Sequence, residues 1–308
     1  MRLPTPLLCL LVSVSLLLCG CIGPVNYRET PQQTILELKK SDSLDQRVPA
    51  ILAHVPATPV GSRIGDLYFT TLLDRIGREN HLIKLITVRD TGFPEFMQSF
   101  TNPTGPKDLY ALAENARSLG FQGIISAAVL DIHPKAEENG VLWWRKKRFY
   151  VSVAVSFDMY DPCTGSKMIS RVEDKTIKID EMEYQQLEQG QADLIEDLDA
   201  AVTDLAETIG EHAAEVLSDE PWKTSVAKIE GEVIELAAGG LSGLSVGDRL
   251  VVFQGRRRMQ GPQGEQFIVP GYKVGRITVT SVEGRSVTAI AEEPGADIAV
   301  GDIAVVSR

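Results

Sequence analysis

The sequence predicts an α+β fold: a sheet-and-helix body over residues 50–221, then a small all-β barrel over residues 222–308. Three observations predict it. Apolar residues recur every three to four positions over 66–80, over 107–119 and again after 190, the spacing of one helix face. Between these segments the stretch from Phe149 to Met159 alternates strictly. Phe149, Val151, Val153, Val155, Phe157 and Met159 fall on one side, and Ser152, Ser156 and Asp158 on the other, which is the two-residue period of a strand. After residue 222 the helical period disappears and one short pattern is written twice.

With 308 residues, the chain can form two modest domains, each with its own core, once a leader is set aside. Acidic residues outnumber basic ones 42 to 31, giving a formal charge of -11. That balance argues against a nucleic-acid partner, which requires a basic surface. It also argues against broad electrostatic adhesion to anionic lipid.

The leader comes first. Met1-Arg2 supplies a short positive start, and Leu7 to Leu18 is an apolar run with only two serines in it. Such a run is short for a bilayer span but suits a signal peptide, so residues 1–20 are expected to be removed. The run ends in Leu18-Cys19-Gly20-Cys21, which resembles the bacterial lipobox. That resemblance implies lipidation of Cys21, with a diacylglycerol on its thiol, cleavage before it, and a fatty acyl chain such as palmitate on the new amine. Several acyl chains together make a stable membrane anchor. Ile22 stands where an aspartate would resemble an inner-membrane retention signal, so the expected address is the outer membrane, on its periplasmic face. Cys9 and Cys19 leave with the leader, Cys163 remains as the one thiol, and no internal disulfide is expected. Residues 21–49, with Pro24 and Pro31, are expected to form a tether containing at most one short helix over 33–40.

The body is expected to run in order through a short buried strand from Ala50 to Val55, a helix over 66–80 and a strand over 82–88. A loop with Pro94, Pro103, Gly105 and Pro106 follows, then a helix over 107–119 with Gly120 at its C-terminal cap. Residues 123–130 are apolar but for Ser126, as in a strand buried on both faces. The alternating strand is followed by a turn, Asp161-Pro162-Cys163-Thr164-Gly165, and a return strand over 166–179. One long acidic helix then closes the body, with Leu194, Leu198, Val202, Leu205, Ile209 and Val216 as its apolar stripe. Residues 180–220 hold fourteen acidic side chains and no Lys or Arg. Pro221-Trp222 marks the boundary.

In the barrel, Ile229-Glu230-Gly231 recurs as Val282-Glu283-Gly284, and Val246-Gly247-Asp248 as Val300-Gly301-Asp302, at offsets of 53 and 54 residues. Each copy reads as a hairpin, a glycine turn and an apolar strand. Glycine permits the positive-φ position, and aspartate can hold the backbone just ahead of it. The segment 254–273 is the one large insertion.

Helix 66–80, the run Leu119-Gly120-Phe121-Gln122-Gly123-Ile124-Ile125 and the turn at 161–165 together resemble the TolB N-terminal and CsgG-type lipoprotein domain. Gly243-Leu244-Ser245-Val246-Gly247-Asp248-Arg249-Leu250 and Val274-Gly275-Arg276-Ile277-Thr278-Val279 resemble the SH3-like C-terminal barrel of FlgT-type flagellar assembly proteins. The order of the two parts also matches that family, although residues 22–49 are too few for the further N-terminal domain its members carry. The resemblance implies an envelope assembly role, in a flagellar basal-body ring or a secretion-associated scaffold. A curli-type pore is disfavoured, because residues 135–148, where a membrane-spanning hairpin would lie, are heavily charged.

No enzyme is expected, and no cofactor or metal. His54, His81, His133 and His212 are scattered, and no HExxH pair, phosphate loop or cysteine ligand set occurs. Two segments are candidate partner contacts. Trp143 and Trp144 precede Arg145, Lys146, Lys147 and Arg148, and Arg256, Arg257 and Arg258 lie in the barrel insertion. Tryptophan and arginine dominate interface energetics. Either patch could meet the acidic helix of another copy, giving head-to-tail rings or filaments. The alternative expectation is a glycan- or peptidoglycan-binding module that grips through residues 263–272.

Overall fold

The computed structural model describes residues 49–54, 62–81, 83–87, 89–90, 93–98, 106–140, 142–239, 242–262, 264–284 and 286–306. Pro49, counted with the expected tether, opens the first strand, and the expected leader, Cys21 and the rest of that tether, up to residue 48, lie outside the described residues. No helix among them is long and apolar enough to cross a membrane.

Five strands form a mixed sheet in the order β2-β1-β3-β4-β5. β1 (Pro49–His54) lies parallel to both β2 (Lys84–Ile86) and β3 (Gly123–Asn139). β4 (Lys146–Tyr160) and β5 (Lys167–Ile179) continue the sheet antiparallel. Parallel neighbours need crossovers, and helices supply them. α1 (Ser62–Glu79) joins β1 to β2; the single turn α2 (Glu95–Gln98) and α3 (Pro106–Ser118) join β2 to β3. Ile124 packs with Met97, Leu112, Ala116 and Phe121 on the α2–α3 side. Its neighbour Ile125 joins the core on the opposite face, among Tyr68, Leu72, Phe157 and Val202. This is the two-sided burial expected of 123–130, and it ends one residue early, since Leu130 is exposed.

Two expectations are corrected here. β3 does not end near residue 130 but runs to Asn139, with a bulge between Val129 and Asp131. Its pairing with β1 stops at Ala127, and beyond that point no described strand pairs with that edge, where Pro134 takes from the ladder no hydrogen bond to a described neighbour. The acidic segment is also two helices rather than one. α4 (Glu181–Glu188) starts on a capping box in which Asp180 and Glu183 each accept from the other's backbone N–H. Gly190, at φ +77°, breaks the chain before α5 (Glu196–Asp219) begins. Leu194 falls in that break and is 63% exposed, outside the stripe.

α1 and α5 share one face of the sheet. They approach tightly at Gly210, where a Cβ would stand 2.8 Å from Cβ of Arg75 and 3.1 Å from the carbonyl of Leu72. Ala206, Ala213 and Ala214 line the same contact zone, so small residues set the distance between the helices.

The second part is a closed barrel of six strands, β11-β12-β7-β6-β13-β8. These are β6 (Lys223–Glu230), β7 (Val233–Leu236), β8 (Arg249–Phe253), β11 (Lys273–Glu283), β12 (Ser286–Ala291) and β13 (Ile303–Val306). Exchanging β6 with β11, β7 with β12 and β8 with β13 maps every pairing onto another, so the repeat in the sequence is a two-fold in the fold. Gly247 donates to Val279 while Val279 donates to Asp248; Gly301 donates to Val226 while Val226 donates to Asp302. Gly247 and Gly301 have φ +95° and +90°, and each following aspartate accepts from the backbone three residues ahead, Ser245 N and Ala299 N.

Body and barrel are clamped together. The buried Gln122 amide donates to the Lys223 carbonyl and accepts from its N–H at 3.1 Å. Gly120 takes φ +78°, and a Cβ there would strike the carbonyl of Ala237. The insertion supplies the hairpin β9 (Arg258–Gln260) and β10 (Gln266–Ile268), and Ile268 N donates 2.8 Å to the Thr164 carbonyl of the body.

Candidate interaction site

β5 pairs with β4 only as far out as Phe149, opposite Ile179. Beyond it β3 and β4 continue as a two-stranded arm, with Glu137 opposite Arg148, Glu138 opposite Lys147 and Asn139 opposite Lys146. Opposite charges facing across a ladder favour this register. The arm turns at Gly140, φ +131°, where a Cβ would collide with the Trp144 carbonyl. A single 3-10 turn, Leu142–Trp144, then caps it. On that turn Trp143 is 82% and Trp144 76% exposed. An arm without a third strand has no layer beneath its tip, and none of the described residues covers the two rings.

The arm carries five cations, Lys135 and Arg145 to Arg148, against Glu137 and Glu138. Lys135 pairs with Glu137 at 2.6 Å, and this hydrogen bond raises its pKa above the ordinary lysine value. Arg145 reaches Glu138 at 3.6 Å. Lys146, Lys147 and Arg148 are exposed and make no ion pair among the described residues.

The barrel arginines are placed differently. Arg256 Nε donates to the fully buried Asp302 at 3.1 Å, and its Nη2 donates to the Asp297 carbonyl at 2.8 Å. Its pKa is held above the usual arginine value, chiefly by the hydrogen bond to Asp302. Arg258 lies over the Tyr110 ring at 5.4 Å and near Glu114 at 3.8 Å. Arg257 is exposed. Two of the three thus have partners inside the chain, and both help to hold the insertion in place.

The acidic helix is also partly compensated. Arg63 pairs with both oxygens of Asp199 at 2.7 and 2.9 Å. Arg75 reaches Glu211, Arg78 reaches Glu207, and Lys175 reaches Asp204 at 2.7 Å. Of the 263–272 segment, Ile268 is buried against the body and Tyr272 is exposed. A shallow groove of about 400 Å³ opens elsewhere on the barrel, between Ile229, Ile234, Ile290 and Ile298.

Among the described residues, no three His, Cys, Asp or Glu side chains are grouped to hold a metal. His81 and His133 are exposed, and His212 lies 3.6 Å from Glu215 on its own helix. Cys163 is a free, buried thiol whose pKa burial pushes up to about 12. The cluster around it escaped sequence reasoning. Asp161 accepts from Cys163 N at 2.9 Å and from the Thr164 hydroxyl at 2.6 Å, and its Oδ2 lies 2.9 Å from Lys223 Nζ. Glu220 holds the same ammonium at 3.1 Å. Burial alone would lower the Lys223 pKa, but Asp161 and Glu220 outweigh it and hold it above the ordinary value. The only sequence signal was the Asp-Pro-x-Thr turn, which says nothing about a lysine 62 positions on.

No family model matches the chain, and no curated protein matches it. Solved structures give distant likenesses. A minor lipoprotein of Acinetobacter baumannii is 15% identical, covering 54% of this chain and 92% of its own, at a TM-score of 0.28. A PelC dodecamer of Paraburkholderia phytofirmans is 13% identical over 56% of this chain and 91% of its own, at 0.31. A hypothetical protein of Chlamydia trachomatis is 12% identical over 56% and 96%, also at 0.31. Likenesses at this level carry no argument about this chain.

Proposed function

We propose that this chain is a lipid-anchored envelope protein. Cys21 holds it at the periplasmic face of the outer membrane, where it serves as an assembly scaffold of the flagellar basal-body-ring or secretion-associated kind. The observation that carries the anchor is the Leu18-Cys19-Gly20-Cys21 motif, and the arm, which sets two exposed tryptophans and a run of cations beyond the last supporting strand, gives the chain a contact surface that the described residues leave free. The rest of the chain serves to hold body and barrel together through Gln122, Lys223 and Asp161. The Leu18-Cys19-Gly20-Cys21 motif supplies the anchor.

Two measurements test it. Cells given labelled palmitate should label the full chain, and Cys21→Ala should lose the label and move from the membrane to the soluble fraction. A wild-type chain that stays unlabelled and cytosolic overturns the anchor. The detergent-solubilised full chain should sediment as species larger than a monomer at low ionic strength and dissociate as salt screens its charges. A monomer at every concentration overturns self-assembly.

A further inference from the structure

The arm's occupant can be specified further, on the footing of the anchored-lipoprotein reading. We infer that the tip formed by Trp143, Trp144 and Arg145 to Arg148 docks into the headgroup layer of an anionic lipid surface. It is a second, non-covalent contact that orients the chain against the membrane to which Cys21 ties it.

Tryptophan is amphipathic, a large apolar ring with one N–H donor, and it settles at the boundary between hydrocarbon and water. Lysine and arginine lay their stems along apolar material and keep the charge in the headgroups. The tip presents these two chemistries in sequence and in space: two exposed rings on the outermost turn, then Arg145 and the three cations that open β4, Lys146, Lys147 and Arg148. The arm has a local excess of positive charge on a chain of net charge -11. Anionic lipid therefore attracts the tip and repels the bulk of the surface, which fixes which end approaches.

A protein partner fits less well. Interface tryptophans act from the centre of a patch whose rim excludes water, and the apex of a two-stranded ribbon has no rim. The acidic helix of a second copy is a weak counterpart, because Arg63, Arg75, Arg78 and Lys175 already pair with its carboxylates. Geometry permits both attachments at once. The chain between Cys21 and Pro49 can span at most about 100 Å, ample room for the tip to reach the surface that holds the anchor.

The tryptophans themselves report the outcome. There are three in the chain, and Trp222 is 7% exposed in the barrel core, so only the tip pair can respond to lipid. The full chain, purified in detergent, is returned to vesicles of mixed phosphatidylethanolamine and phosphatidylglycerol, with phosphatidylcholine vesicles alongside. The expected result is a blue shift, and quenching of roughly two-thirds of the emission by brominated acyl chains, since two of the three tryptophans respond. Quenching should be weaker in phosphatidylcholine and in Lys146→Glu/Lys147→Glu, and lost in Trp143→Ala/Trp144→Ala. Protein that is captured by vesicles while its emission stays unshifted and open to aqueous iodide overturns the tip contact and leaves the anchor standing. Failure of the anchor instead shows as loss of palmitate label with lipid-dependent quenching retained. A blue shift that develops without lipid, in an associated species that brominated chains do not quench, also overturns it and assigns the tip to another protein.

Discussion

Lys223 and Cys163 meet beside one carboxylate, Asp161, in the seam between body and barrel. The thiol is packed and cannot ionise in place, whereas in an unfolded chain it titrates near 8.5. Its folded pKa, about 12, is therefore raised. The associated stability is complete below about pH 8.5 and is lost as pH climbs toward the folded value. The melting temperature of the wild type is expected to fall more steeply between neutral and pH 10 than that of Cys163→Ala, read by calorimetry across a pH series. A thiol reagent should react with the native protein only at the rate of unfolding. The turn that presents Asp161 was legible in the sequence because its Asp, Pro and Gly act on their own neighbourhood. Its partners Lys223 and Arg117 were not, since only the finished fold brings them close.

Element-scale contacts turn on two glycines in helices. Gly210 faces α1 at a distance that leaves no room for a methyl group, whereas Gly77 on α1 has nothing within 4 Å of its missing Cβ. Alanine gains about 1 kcal/mol over glycine in a helix, and overpacking a tight contact costs about 1–3 kcal/mol. Gly77→Ala is therefore expected to raise the denaturation midpoint, and Gly210→Ala to lower it or leave no gain. Equal gains from both would show that α1 and α5 are not in close contact. Helix faces were legible here because the 3.6-residue period is a local property, as were the strict alternation of β4 and the V-G-D turns. The length of β3 was not, because past Ile132 its residues are mostly polar and run on as a ladder with β4. Nor was the break at Gly190, which reads as one more polar position in an acidic stretch.

At the scale of the whole molecule, the sequence carried the mixed helix-and-sheet character, the all-β run after residue 222 and the repeat inside the closed barrel. It carried less of the candidate site. Trp143 and Trp144 stood out by composition, but their exposure depends on β5 ending at Ile179 and leaving the arm unsupported. The three barrel arginines looked like one patch and proved to have separate roles, since their partners Asp302, Asp297, Tyr110 and Glu114 lie far away in the chain.

The barrel's two-fold has a consequence of its own. Each half brings three strands in the same order and leaves edges that its twin is shaped to complete. A half offered on its own is then as good a match for a neighbour's half as for its native mate. The fragment 223–253 added in trans is expected to bind chains whose own copy has been melted out, detected as a fluorescent peptide co-eluting with refolded protein, and native chains should ignore it. Where many copies are tethered side by side, the same matching gives one molecule a way to lend half its barrel to the next.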